Sequence, residues 1–222
     1  MEIVSLAEIY INPEAFAKKL RIRDQGLVKQ LIDTAQRVST PAAAYRVSYI
    51  EEKRDDGVFV ENVFLKSRVL RRNLDAIGRL FPFVLTLGRA MDETLDASTD
   101  MLEKYLLDEI ANKILRKARS RFEEHLRSVF ALRTISCMTP GSLPDWPIEE
   151  QQPLFRLLPG AESTLGVRLT ESFLLLPRKS VSGVYFPSET NFLSCQICPR
   201  ERCDSRRASY DPRKAKDYGV LR

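Results

Sequence analysis

Residues Asp100 to Val129 carry one unbroken helical period, and no other stretch constrains the fold as strongly. Leu102, Leu106, Ile110, Ile114, Leu115, Ala118, Phe122 and Leu126 recur at helical spacing, so they share one side of a helix. The opposite side is mostly Lys, Arg, Asp and Glu. The segment reads as a core-packing helix with a solvated back. His125, the only histidine of the chain, lies in that charged pattern and reads as an exposed helix residue. A single histidine leaves no material for a Ser-His-Asp set, an HExxH site or a His-rich metal site.

The flanking segments are shorter. Residues 12 to 39 read as helical, with Asn12 as N-cap, Pro13 in the first turn and an interruption near Gly26. Residues 43 to 50 and the VFVENVFL run are strand-like around Asp55-Asp56-Gly57, which predicts a hairpin. Residues 66 to 78 form a polar, helical connector, Phe81 to Leu87 a short buried strand, and Gly88 opens another helix. Residues 136 to 148 are rich in proline and hold the only tryptophan. They predict an ordered loop pinned by Trp146. A short helix spans 149 to 158. The runs VRLTESFLLLP and SVSGVYFP are strand-like and only Arg178-Lys179 parts them, so they are expected to pair antiparallel.

At 222 residues the chain is long for one domain and short for two. It is read as one domain over 1–222, with an N-terminal helical arm at 1–40 and a cysteine-containing basic tail at 190–222. No window resembles a membrane span, and MEIVSLAEIY lacks the basic start of a signal peptide. A cytoplasmic setting is expected. The net charge of +5 and pI near 9.1 are mild, because acidic and basic residues are interspersed. The basic run Arg206 to Lys216 reads as a solvated tail. Nucleic-acid binding is not expected, since interleaved aromatics and finger spacing are both missing.

Three of the four cysteines cluster as Cys195-Gln-Ile-Cys198-Pro-Arg-Glu-Arg-Cys203. A C-x2-C turn brings two thiolates to one point, and the third lies within reach. Cys137 sits in the loop expected to flank the same strands. The four are therefore the candidate ligands for an iron–sulfur cluster or zinc, with iron–sulfur ahead. A surface disulfide and metal-free thiols are the alternatives.

The residues Pro140-Gly141, Leu169-Thr170-Glu171-Ser172-Phe173, Ser180-Val181-Ser182-Gly183 and Tyr185-Phe186 carry a resemblance. In this spacing the chain resembles the activation domain of cobalamin-dependent methionine synthase, over residues 80 to 187. The resemblance implies an α+β fold, a twisted antiparallel sheet flanked by helices. It also implies binding of S-adenosylmethionine and its presentation to a corrinoid oxidised to cob(II)alamin. The cobalamin belongs to a partner, a corrinoid-carrying protein or methionine synthase, and an electron-donor protein completes the reaction. The chain is expected to be a free-standing relative with a trailing cysteine cluster. Whether it is itself an enzyme stays open, and no catalytic residue is assigned.

On this resemblance the candidate ligand-binding residues are Pro140, Gly141, Ser142, Ser180, Ser182, Gly183 and Tyr185. Gly183 lacks a Cβ and so allows close approach to a flat ligand. Ser180 and Ser182 share one strand face and offer hydroxyls. Tyr185 points to the other face, where its ring would stack on adenine or sulfonium. Arg178 and Lys179 sit where a carboxylate would dock. The family's loop reads Arg-x-x-x-Gly-Tyr, and here Cys137 and Ser142 occupy the Arg and Tyr positions. That departure favours the alternative, a cysteine-metal module that binds no methyl donor and acts as a structural or electron-transfer partner.

Overall fold

The computed structural model describes residues 1–6, 9–189, 192–203 and 206–220. The chain begins with strand β1 (Glu2–Ser5) and helices α1 (Pro13–Leu20) and α2 (Gln25–Val38). Asn12 caps α1 by accepting from the Ala15 amide at 2.8 Å, and Asp24 caps α2 through the Leu27 amide at 2.9 Å. The helical break falls at Arg21, in the left-handed region with φ 58°, and Gly26 lies inside the first turn of α2. Strands β2 (Ala42–Tyr45), β3 (Ser48–Arg54), β4 (Gly57–Val60) and β5 (Val63–Lys66) follow. The expected turn at Asp55-Asp56 joins β3 and β4, with Arg54 opposite Gly57, but neither expected strand is continuous: 43–50 divides between β2 and β3, and VFVENVFL turns at Glu61-Asn62, both at positive φ, into the β4–β5 pair.

Helix α3 (Arg68–Asn73) leads to strand β6 (Arg79–Thr86), then to α4 (Arg89–Ala97) and the long α5 (Met101–Val129). Asp100 starts α5, accepting from the Glu103 amide at 2.9 Å. After α5 come β7 (Ile135–Met138), α6 (Gln151–Arg156), α7 (Ala161–Leu165), the two-residue strands β8 (Arg168–Leu169) and β9 (Leu175–Leu176), the long β10 (Ser180–Pro187), and α8 (Pro212–Asp217).

Eight strands form one antiparallel sheet. Its spine is β6, which pairs with β2 and β3 along one edge and with β10 along the other; β7 lies beyond β10. The α+β fold with an antiparallel sheet flanked by helices, expected above, is the fold observed. On one face Tyr45, Phe81, Phe83, Leu85 and Tyr185 pack under α2, α4 and α5. On the other face Leu80, Met138, Val184 and Phe186 pack with Trp146, Leu154, Phe192 and Ile197. Period-two alternation along β6 and β10 supplies both cores.

Three further expectations are corrected. VRLTESFLLLP does not pair with SVSGVYFP: it folds on itself as the β8–β9 hairpin, while β10 pairs with β6 and β7. Phe173 makes that turn in the left-handed region, φ 61°, with the Leu174 amide bonded to the Thr170 hydroxyl at 3.0 Å. The basic tail is not free in solvent. Phe192, Ile197 and Ala215 are fully buried, and the Arg72 guanidinium lies 4.6 Å over the Tyr218 ring. His125 is half-buried, edge-on to Tyr45 at 5.9 Å. Among the described residues no helix is long and apolar enough to cross a membrane.

Candidate functional site

Strand β7 stops at Met138 because the next residues turn sharply. Gly141 takes φ +79°, and its amide donates to the Trp146 carbonyl at 2.8 Å. The Ser142 hydroxyl donates back to the Thr139 carbonyl at 2.6 Å. Trp146 is fully buried and pins this turn to the second core, as the sequence predicts.

Strand β10 runs beside the turn. The Ser182 hydroxyl is buried and donates to the Gln151 side-chain carbonyl. The Ser180 hydroxyl donates to the Pro177 carbonyl at 2.6 Å and lies 2.9 Å from the Thr86 hydroxyl oxygen. A Cβ on Gly183 would overlap the Met138 carbonyl and press on the Thr139 methyl, so the end of β7 is what requires this glycine. Tyr185 is fully buried, with ring centroids 4.8 Å from Phe83 and 5.7 Å from Phe122. Its hydroxyl accepts from Arg119 Nε at 3.3 Å. Gly183 and Tyr185 therefore lie within the core that supports the site, and Tyr185 presents no open ring face.

The candidate residues line three cavities. Pro140, Ser180 and Ser182 line one of about 340 Å³, together with Thr139, Gln151 and Arg178. Gly141 and Ser142 line two others, one of about 200 Å³ and an open one of about 590 Å³ that Cys198 also borders. All four cysteines line the cavity of about 200 Å³. The cationic corner also has partners: Arg178 reaches Asp96 at 2.6 Å on α4, and Lys179 reaches Asp108 at 2.6 Å on α5. These pairs staple the start of β10 to two helices.

Cys137 comes to the cysteine cavity through the sheet. It faces Tyr185 across the β7–β10 ladder and forms a parallel bridge with Leu193. Leu193 starts the turn that presents Cys195. Ile197, fully buried, anchors the stretch between Cys195 and Cys198 into the core. Arg206 fastens the loop by donating to the Cys195 carbonyl at 2.9 Å and the Cys198 carbonyl at 3.4 Å. Burial pushes the Cys137 thiol above its usual range, and the Arg119 guanidinium beside it holds that rise back. All four cysteines are free thiols. Among the described residues no set of three His, Cys, Asp or Glu side chains stands close enough to hold one metal ion.

Sequence reading missed Arg119, Gln151 and Ser194. Arg119 and Gln151 sit on helices whose spacing shows only which face is buried. Ser194 Oγ is buried at the rim of the cysteine cavity and lacks a hydrogen-bond partner among the described residues. Within the basic run, Arg206 turns onto the cysteine loop rather than to solvent.

Residues 139–207, which include the turn, β10 and the three clustered cysteines, match the family model described as vitamin B12 dependent methionine synthase, activation domain. A solved structure of the MetH reactivation domain bound to AdoHcy shares the fold with a TM-score of 0.63. It is 16% identical, over 88% of this chain and 81% of that one. No curated protein matches the chain. The chain resembles the methionine synthase activation domain in fold and, over the site-bearing segment, in sequence.

Proposed function

We propose, from that resemblance, that this chain binds S-adenosylmethionine and supports reductive methylation of a corrinoid carried by a partner protein, in the cytoplasm. One observation carries the reading. Pro140 of the turn and the two β10 serines, far apart in sequence, wall one open cavity inside the family-matched segment. Its hydroxyls and the Gln151 amide are polar groups that can orient a ribose or an amino-acid end. The chain positions the donor, and the corrinoid accepts the methyl group. One electron from a donor protein takes cob(II)alamin to cob(I)alamin. The cobalt then takes the methyl group, leaving methylcobalamin and S-adenosylhomocysteine.

The test uses methyl-labelled S-adenosylmethionine, a cob(II)alamin-loaded methionine synthase fragment lacking its own activation domain, and a one-electron reductant. Adding the chain is expected to place label on cobalt and release S-adenosylhomocysteine in equal amount. Equal labelling with and without the chain overturns the role.

A second reading is favoured by the four thiols around one cavity: a cysteine-metal module, holding iron–sulfur or zinc, that binds no methyl donor. Cys137 and Ser142, the departures from the family's loop, both line the cysteine cavity, whereas Pro140 faces that of the β10 serines.

A further inference from the structure

We propose that Cys137, Cys195, Cys198 and Cys203 hold a four-thiolate iron–sulfur cluster, with the cavity of about 200 Å³ between them as its seat. The assignment deepens the cysteine reading above and needs no methyl donor.

The four thiols line one open space, several times the roughly 30 Å³ share of one water. A polynuclear cluster, whose thiolates attach to different irons, is larger than a single ion and suits a space of this size.

Charge points the same way. Arg119, Arg200 and Arg207 line the cavity, and among the described residues no carboxylate does. Four thiolates on a cluster make an anion, and these guanidinium groups offset it. One hydrogen-bond donor is already aimed at sulfur: the Arg207 amide donates to Cys195 Sγ at 3.4 Å. The buried Ser194 hydroxyl lines the same cavity and has no partner among the described residues. Such donors set the potential of iron–sulfur centres. The frame is built as well: Cys137 is fixed in a strand, and the Cys195–Cys198 loop is held by Ile197 and by Arg206.

The experiment is anaerobic reconstitution of the full chain with ferrous iron and sulfide, followed by desalting. Iron, acid-labile sulfide and zinc are then counted, and paramagnetic resonance is recorded after one-electron reduction with dithionite. About four irons and four sulfides per chain are expected, with a signal from the reduced cluster. Cys137→Ala and Cys203→Ala are expected to lose the cluster while circular dichroism shows both folded. A single zinc, no bound metal, or an unchanged cluster in folded Cys137→Ala overturns the assignment. If Cys137→Ala does not fold, Cys203→Ala, on the surface loop, decides alone. Titration of the reconstituted protein with S-adenosylmethionine is separate, so failure of methyl-donor binding leaves the cluster standing, and the reverse holds too.

Discussion

Cys137 and Leu193 bridge in parallel, so the backbone that carries Cys195 leaves from beside the one cysteine outside the cluster. This contact ties the tail to the sheet and places both beside the proline–glycine turn. It makes one neighbourhood out of segments separated by more than fifty positions in the sequence.

Gly183→Ala tests why β10 carries a glycine. The added methyl meets the Met138 carbonyl and the Thr139 methyl, both at the end of β7. Overpacking of this kind costs about 1–3 kcal/mol. Denaturant unfolding is expected to show that loss. An unchanged midpoint would mean that β7 ends elsewhere.

Trp146→Ala removes the plug behind the turn. Truncating a fully buried tryptophan costs about 3–5 kcal/mol. Trp146→Phe is expected to recover more than half of it, because Nε1 makes no hydrogen bond among the described residues. Urea midpoints of the two variants measure the difference. Equal losses would show that the indole N–H matters.

Alkaline pH probes the helix-side core. Burial raises the Tyr45 hydroxyl above its usual range, and the bond to Glu2 at 2.5 Å raises it further. The folded state thus holds this proton more tightly than the unfolded chain does. Its contribution is complete below roughly pH 10, the ordinary tyrosine value, and is lost as pH rises through the folded value. The stability advantage of the wild type over Tyr45→Phe is therefore expected to be flat below that pH and to shrink above it. Unfolding free energies on both sides measure this, and an advantage that grows with pH contradicts it.

Arg206→Ala cuts the strap across the cysteine loop. Reconstituted iron is expected to fall at least severalfold while the thermal midpoint shifts by only a few degrees, since the side chain binds backbone of one loop. Full iron retention would show that Ile197 alone positions the cysteines.

Much of the architecture is readable from periodicity. The α5 stripe, the hairpin around Asp55-Asp56 and the alternation of β10 follow from spacing, and each is observed. The LTES segment misleads because its apolar run looks like a strand, whereas the Thr170 hydroxyl and the left-handed Phe173 fold it into a turn. Tail packing is hidden because Phe192, Ile197 and Ala215 share no period. At the site, composition points to the serines, the turn and the cysteines. It does not show that Gly183 and Tyr185 face inward, or that one turn borders three cavities. Those facts depend on how β7 meets β10, and spacing within a segment carries no record of that pairing.

The decisive measurement is calorimetric titration of the full chain with S-adenosylmethionine, alone and with a corrinoid protein present. One molecule is expected to bind per chain. At least tenfold weaker binding, about 1.4 kcal/mol, is expected in Gly141→Ala, whose methyl would strain a residue at φ +79° and crowd Ile148, a wall of the cavity of Pro140 and the β10 serines. Absence of binding heat under both conditions, in protein that is folded by circular dichroism, would contradict the proposed binding.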